Sequence, residues 1–269
     1  MQENNNAGKH MEILGIQTSL IKPGDNLLTI LEAAFEENKI YPEEGDIIVL
    51  AESAVATAEN RVVKLSEVEP GQTAIRFAHR FSLDPREMEL VLRECDEVFG
   101  GVPGAALTIT KGNLSPNAGI DGSNAPEGHV VLLPEDSQKS AGQIRRAICN
   151  KYRCRVGVII GDSRTQPMRL GCVGIALGTS GIIPVEDSRG DLDLFGKPLS
   201  ITHKAVADNL VSAAQLIMGE AGERIPCVII RNSGIRIVDA DVPMPVFSSD
   251  ECMYFSNIRK SSQKIDYTR

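Results

Sequence analysis

The sequence predicts an α+β fold, with interspersed helices and mostly antiparallel or mixed sheets. Three features of the chain point there. Helical periodicity recurs in segments of uneven length. Short apolar runs that read as buried strands stand between them. Gly-rich polar turns separate the two at irregular intervals, so the steady strand–helix alternation of a doubly wound sheet is missing. Of the 269 residues, 42% are apolar, enough to fill a core. The length allows one large domain or two modest ones.

In chain order, Met11 to Ile21 alternates loosely and predicts a strand closed by the turn Lys22-Pro23-Gly24-Asp25. Asn26 to Asn38 predicts a helix, because Leu27, Leu28, Leu31, Ala34 and Phe35 fall on one face. Ile47 to Ala51 is a continuous apolar run, the pattern of a buried strand. Glu52 to Val63 continues polar and small, with Asn60-Arg61 near its end. Thr73 to Arg80 and Pro85 to Cys95 predict helices, and Val130 to Leu133 a strand stopped by Pro134. Ser137 to Tyr152 predicts a helix with Ile144, Ala147 and Ile148 inward and Lys139, Arg145 and Arg146 outward on a solvated face. Arg155 to Ile160 predicts a strand leading into an acidic turn, Gly161-Asp162-Ser163. Gly171 to Gly181 is Gly-rich, as expected of a strand packed tightly against another strand or a ligand. Ile201 to Met218 predicts the clearest helix, and Ile225 to Arg231 a last strand.

Composition excludes several functions. A net charge of −8 argues against a nucleic-acid binder, whose partner's phosphates call for a Lys/Arg surface. With 4% aromatics and no Trp, base-stacking platforms are not expected either. No apolar run reaches the roughly 18 residues of a membrane span. The six cysteines are scattered, with no CxxC pair and no nearby His, which argues against zinc and for reduced thiols in a cytoplasmic protein. Residues 1–10 are polar and read as a disordered leader or an expression remnant. Residues 11–240 form the expected domain, and residues 241–269 a C-terminal tail packing on it or extending from it. No appended flavin-type domain is expected.

The candidate chemistry lies in three acidic, Gly-rich segments. Asn117 to Asn124 places Asp121 in a polar loop; Asp162 follows an apolar run; Met218 to Arg224 brings Glu220 and Glu223 between Gly219 and Gly222. Carboxylates beside small polar residues suit a hard divalent cation bridging protein to phosphate. Each segment alone also has an ordinary explanation, a plain turn or a Gly helix cap with exposed acids. Together they match a site where a metal bridges a nucleotide's phosphates. No GxxxxGK[ST], GxGxxG or GxSxG is present, and the four histidines stand in unrelated contexts.

Read as a set, Leu20 to Asp25, Glu44-Gly45-Asp46, Asn117 to Asn124, Gly161-Asp162-Ser163 with Pro167 and Arg169, Gly178 to Ile182, Asp208, Met218-Gly219-Glu220 and Ile225-Pro226 resemble the coenzyme F420-0:L-glutamate ligase family. The resemblance runs from about Met11 to Ile235. It implies a GTP-dependent amide ligase, homodimeric, whose substrates are the coenzyme F420 precursor, L-glutamate and GTP. The precursor's carboxylate would be activated as an acyl phosphate and then attacked by the amine of L-glutamate. Asp121, Asp162 and Glu220 would be the catalytic residues. Asp121 and Asp162 would hold one Mg or Mn ion, Ser163 and Glu220 a second, and K+ is a further candidate cofactor. The nucleotide would be held by Thr18, Ser19, Leu20, Ile21, Glu52, Ser53, Thr57, Asn124, Met218, Gly219, Ala221, Gly222 and Glu223. Three cationic positions of the family differ here: Thr57 stands where it has Lys, Thr165-Gln166 where it has Gly-Arg, and Gly190-Asp191 where it again has Gly-Arg. Arg164 and Lys197 are the neighbouring cations that could substitute. Two alternatives follow: a sister amide ligase with another acceptor or nucleotide, and a non-catalytic nucleotide- or metal-binding relative.

Overall fold

A computed structural model describes residues 10–262 of the chain, and for residues 258–262 the backbone alone. The expected leader, apart from His10, and the last seven residues lie outside the described region.

Five strands form the central sheet: β1 (Glu12–Ile16), β2 (Ile47–Ala51), β8 (Gly157–Thr165), β9 (Cys172–Ser180) and β12 (Cys227–Arg231), in the order β1-β12-β2-β8-β9. β2 and β8 run parallel, in register from Ile47↔Gly157 to Ala51↔Gly161; the other three pairings are antiparallel. Because side chains alternate along a strand, the apolar runs of β2 and β8 feed both faces. Ile48, Leu50, Val158 and Ile160 pack under helices α1 (Leu27–Asn38) and α5 (Ser137–Tyr152). Ile47, Val49 and Ile159 pack under α6 (Val206–Met218). α1 starts where Asn26 caps it, its side chain accepting from Thr29 N at 3.1 Å, and it buries Leu27, Leu31, Ala34 and Phe35.

A third cluster packs α3 (Gln72–Phe81) and α4 (Pro85–Glu94) beside a three-stranded sheet of β4 (Glu97–Val102), β5 (Ala105–Thr110) and β6 (Asn113–Pro116). The smaller pairings are β3 (Val62–Lys64) with β7 (His129–Val131), and β10 (Val185–Asp187) with β11 (His203–Ala205). The result is an α+β fold with mixed, mostly antiparallel sheets.

Several elements differ from the sequence reading. The first strand stops at Ile16 and its expected continuation, residues 17–21, is a loop. A seven-residue helix, α2 (Glu52–Ala58), fills the small, polar stretch after β2. Gly161-Asp162-Ser163 is strand, not turn: β9 pairs beyond it, Asp162 with Ile175 and Ser163 with Gly174. The Gly-rich strand β9 pairs with β8 and puts Gly174 in the cleft wall, and its glycines also let two helices approach closely. A Cβ on Gly174 would lie 2.6 Å from the Val211 backbone, and one on Gly178 would lie 2.3 Å from the Ser137 carbonyl. The last long helix begins at Val206, since His203–Ala205 pairs in β11.

Arg145 is buried, not outward. Its Nε donates to the Val156 carbonyl at 3.0 Å, and its Nη2 to Val238 O at 3.2 Å and Asp239 at 3.1 Å. These bonds draw it under the segment after β12. The same segment is tied down by Gly181 N to Ala240 O at 2.9 Å, by Arg146 to Asp241 at 2.7 Å, and by Ser180 to Asp241. The tail then forms α7 (Met253–Ser262), whose Phe255 meets Phe99 of β4 edge to face at 4.5 Å.

Candidate active site

Parallel strands present their carboxyl ends to a common crevice, the usual ligand position in such sheets. Here β2 and β8 end side by side, and a cleft of about 510 Å³ opens there. β2 delivers Glu52 and Ser53 at the start of α2; β8 delivers Asp162, Ser163 and Arg164. The other walls come from the loop of Thr18 to Ile21, from the Asn117 to Asn124 segment, and from the loop after α6. Two backbone bonds hold this last loop in place, Thr18 N to Arg224 O at 3.0 Å and Ala51 N to Pro226 O at 2.9 Å.

Of the residues the resemblance implicates, Thr18, Ser19, Leu20, Ile21, Glu52, Ser53, Thr57, Asp121, Asn124, Asp162, Ser163, Met218, Gly219, Glu220, Ala221 and Gly222 line this cleft. Glu223 does not form its wall; its carboxylate turns back to accept from Ala221 N at 2.8 Å. Gly219 is also a helix cap, its N–H bonded to Gln215 O at 3.0 Å, so cap and cleft wall coincide. Lys197 and Asp191 do not line the cleft, whereas Arg164 does.

The Asn117 to Gly119 turn is strained and strongly held. All three residues have positive φ, 49°, 57° and 77°. For Ala118 this costs about 1–2 kcal/mol. Asn117 offsets it by accepting from Ala106 N at 2.8 Å, and Thr108 accepts from Ala118 N at 3.0 Å. The turn hands the chain to Asp121, whose backbone bridges Val131 and whose Oδ1 accepts from Ser123 N at 2.8 Å.

Charge is concentrated where the two strands end. Asp162 and Arg164 stand two apart on one strand, hence on one face, and Arg164 Nε bonds Asp162 directly. The pair is deeply buried, with side-chain exposures of 3% for Arg164 and 12% for Asp162. Burial, reinforced by the Asp162 charge, raises the Glu52 carboxyl well above the usual carboxylate range, against the pull of Arg164. Burial also raises Asp162, and Asp121 adds to the rise, while Arg164 lowers it. One guanidinium thus bonds Asp162 and counters Glu52, while Asp121 adds its charge to Asp162. Arg164 Nη1 donates to Leu114 O at 3.1 Å, but its Nη2 is buried without a hydrogen-bond partner. An unmet buried donor costs about 1–3 kcal/mol. In the sequence Arg164 is only a neighbouring cation, because the strand period that pairs it with Asp162 is hidden once the segment is read as a turn.

Across the cleft Ser163 Oγ donates to Glu220 at 3.2 Å, and Gln215 fixes the other Glu220 oxygen. Among the described residues no three His, Cys, Asp or Glu side chains converge closely enough to hold a metal ion by themselves. The oxygen donors stand as two pairs, Asp121 with Asp162 and Ser163 with Glu220. Their excess negative charge and hard oxygen chemistry fit a divalent cation completed by phosphate and water oxygens.

The comparisons agree on one family. The F420-0:gamma-glutamyl ligase family model matches residues 15–232. Among curated proteins, the coenzyme F420:L-glutamate ligase of Methanopyrus kandleri is 42% identical over 212 residues, 78% of this chain and 82% of that protein. The proteins of the same name from Methanocaldococcus jannaschii and Archaeoglobus fulgidus are 39% and 35% identical, covering 84% and 86% of this chain and 90% of each relative. The range that the family model matches encloses every segment of the cleft wall, and the chain belongs to the F420-0:gamma-glutamyl ligase family.

Proposed function

We propose that this protein is a GTP- and divalent-metal-dependent ligase that joins L-glutamate to the carboxylate of a coenzyme F420 precursor. Family membership gives the ligase class and the amide bond. The observation that best supports the finer reading is the cleft itself, where Asp121, Asp162, Ser163 and Glu220 line one space at the ends of the parallel strands.

The reaction has two balanced steps. The acceptor carboxylate attacks the γ-phosphorus and GDP leaves, giving an acyl phosphate. The glutamate nitrogen then bonds the acyl carbon as the carbon–oxygen bond to phosphate breaks, and the amine proton is lost. Bound divalent cations would supply charge neutralisation at the phosphates. Asp121, Asp162, Ser163 and Glu220 would hold those cations. Thr18 to Ile21 and the Met218 to Gly222 loop would seat the nucleotide on backbone groups. Arg164, locked on Asp162, keeps that carboxylate oriented and adds fixed positive charge beside the reacting phosphate.

A sister ligase with another acceptor or nucleotide is the second reading, favoured by Thr57 lining the cleft where the family has Lys. Calorimetric titration of GTP, then ATP, with and without Mn²⁺ separates the two. Metal-dependent binding selective for GTP, followed by glutamate-dependent GDP release with the precursor, supports the first. Selective ATP binding favours the second, and failure to bind either nucleotide overturns both. Asp162→Asn should abolish the metal-dependent binding; unchanged binding would refute this assignment of the site.

A further inference from the structure

Arg164 lines two cavities. Beyond the active-site cleft it also walls a second one of about 320 Å³. Its Nη2, buried and unpartnered, belongs to a side chain that separates the two spaces. The rest of the second cavity is built from three further devices. The sixteen-residue helix α5 begins there at Ser137, bringing the partial positive charge of a helix N-terminus. Lys111, in the β5–β6 turn, enters with its ammonium donating to the carbonyls of Pro134, at 3.1 Å, and Glu135. Leu177 is the unpaired residue where the β8–β9 register shifts between Ile160 and Gly161, a bulge that directs it to this wall.

The charges are mixed. The guanidinium, the ammonium and the helix terminus are positive; exposed Glu135 and Asp136 stand at the rim. Asp136 already accepts from Lys139 N at 2.9 Å. Rim acids disfavour a polyphosphate and tolerate a ligand whose own charges are of both signs. The active-site cleft must house the nucleotide and the acceptor's carboxylate, so the third reactant needs a neighbouring space that opens toward them.

We propose that the second cavity is the amino-acid subsite, taking an α-amino acid with a second carboxylate, L-glutamate in the reading above. The α-carboxylate meets Arg164 at the partition, which places the adjacent amine toward the cleft. The side-chain carboxylate meets Lys111 and the start of α5. This inference rests on the ligase reading for the identity of the amino acid.

Leu177→Phe, which narrows the cavity, and Lys111→Met, which removes its ammonium, test it in the full-length protein. Neither residue lines the active-site cleft. Each variant should raise the KM for L-glutamate at least about tenfold, the loss of one good contact, with the KM for nucleotide essentially unchanged. Calorimetric titration of L-glutamate, which needs no turnover, should show binding to the parent and its loss in both variants, each with a parental melting temperature. If the parent ligates glutamate and both variants keep its KM, the subsite is overturned and the ligase reading stands. If the parent binds glutamate, the variants do not, and no amide forms, the subsite stands and the ligase reading falls. A parent that neither binds nor ligates glutamate overturns both.

Discussion

Arg164→Met removes the guanidinium that bonds Asp162 and counters Glu52 while keeping an apolar stem of similar length. Breaking a buried ion pair from one side costs about 3–5 kcal/mol, because the partner charge stays behind uncompensated. The Leu114 carbonyl also loses its donor at 3.1 Å. Against this, the unmet Nη2 disappears, recovering roughly 1–3 kcal/mol. At mid-range values, with the Leu114 carbonyl left unmet, the balance is a destabilisation of about 2–3 kcal/mol. At about 2–4 °C per kcal/mol for a chain of this size, the melting temperature falls by roughly 4–12 °C. Saturating Mg²⁺ or Mn²⁺ returns positive charge to the same carboxylates; a ligand at a hundred times its Kd contributes about 2.7 kcal/mol. The variant should therefore gain more from the metal than the parent does. Thermal denaturation by circular dichroism, with and without the metal, reads both effects. A metal-free variant melting within about 2 °C of the parent would refute Arg164 as the counter-charge of the site.

Gly178→Ala would place a Cβ 2.3 Å from the Ser137 carbonyl oxygen, so α5 must retreat from β9; overpacking against backbone predicts a loss of roughly 2–3 kcal/mol in urea unfolding, and an unchanged midpoint would contradict the packing described. Ser180 and Arg146 hold the Asp241 carboxyl below its ordinary value. Its contribution is therefore complete above the ordinary carboxylate range and is lost as the pH falls through the lowered folded value. The stability gap between the parent and Asp241→Asn should be constant near neutrality and close in acid; a gap that widens in acid would reverse the sign. Burial pushes the Cys154 thiol up to about 11 and Cys227 higher still, while Cys172 is exposed. Iodoacetamide at pH 8, read by mass spectrometry, should label Cys172 well before either, since the thiolate is the nucleophile.

Much of the fold was legible because local signals and tertiary packing agree. Asn26 marks the start of α1 and its apolar stripe is the buried one; the continuous apolar run of β2 feeds two cores. The failures share a cause, which is that long-range pairing overrode local chemistry. Gly161, Asp162 and Ser163 have turn composition, yet β9 lies alongside and supplies a strand ladder. Arg145 has a surface residue's charge, yet carbonyls from Val156 and Val238 reach it inside. α2 spans only seven residues, too few for periodicity to declare itself. For the site, the three acidic segments could be picked out and grouped by their shared chemistry, and the family resemblance gave each a role. That they meet at the ends of β2 and β8 is a product of sheet order, which no local pattern contains. The second cavity had no signature at all, since it depends on a bulge, a helix start and one buried side chain.

The insertion of β12 between β1 and β2 has a consequence for how the protein is made. The first strand leaves the ribosome with no partner, and about two hundred residues must follow before Cys227–Arg231 arrives to pair with it, a wait of roughly 10–40 s at ordinary elongation rates. During that interval β1 and one edge of β2 are unpaired strands, open to wrong partners. The bonds that close the cleft, from Thr18 to Arg224 and from Ala51 to Pro226, also wait for that last stretch. A nascent chain halted before it would expose unpaired edges and a half-built cleft, so ligands of the finished cleft would find no complete site to bind.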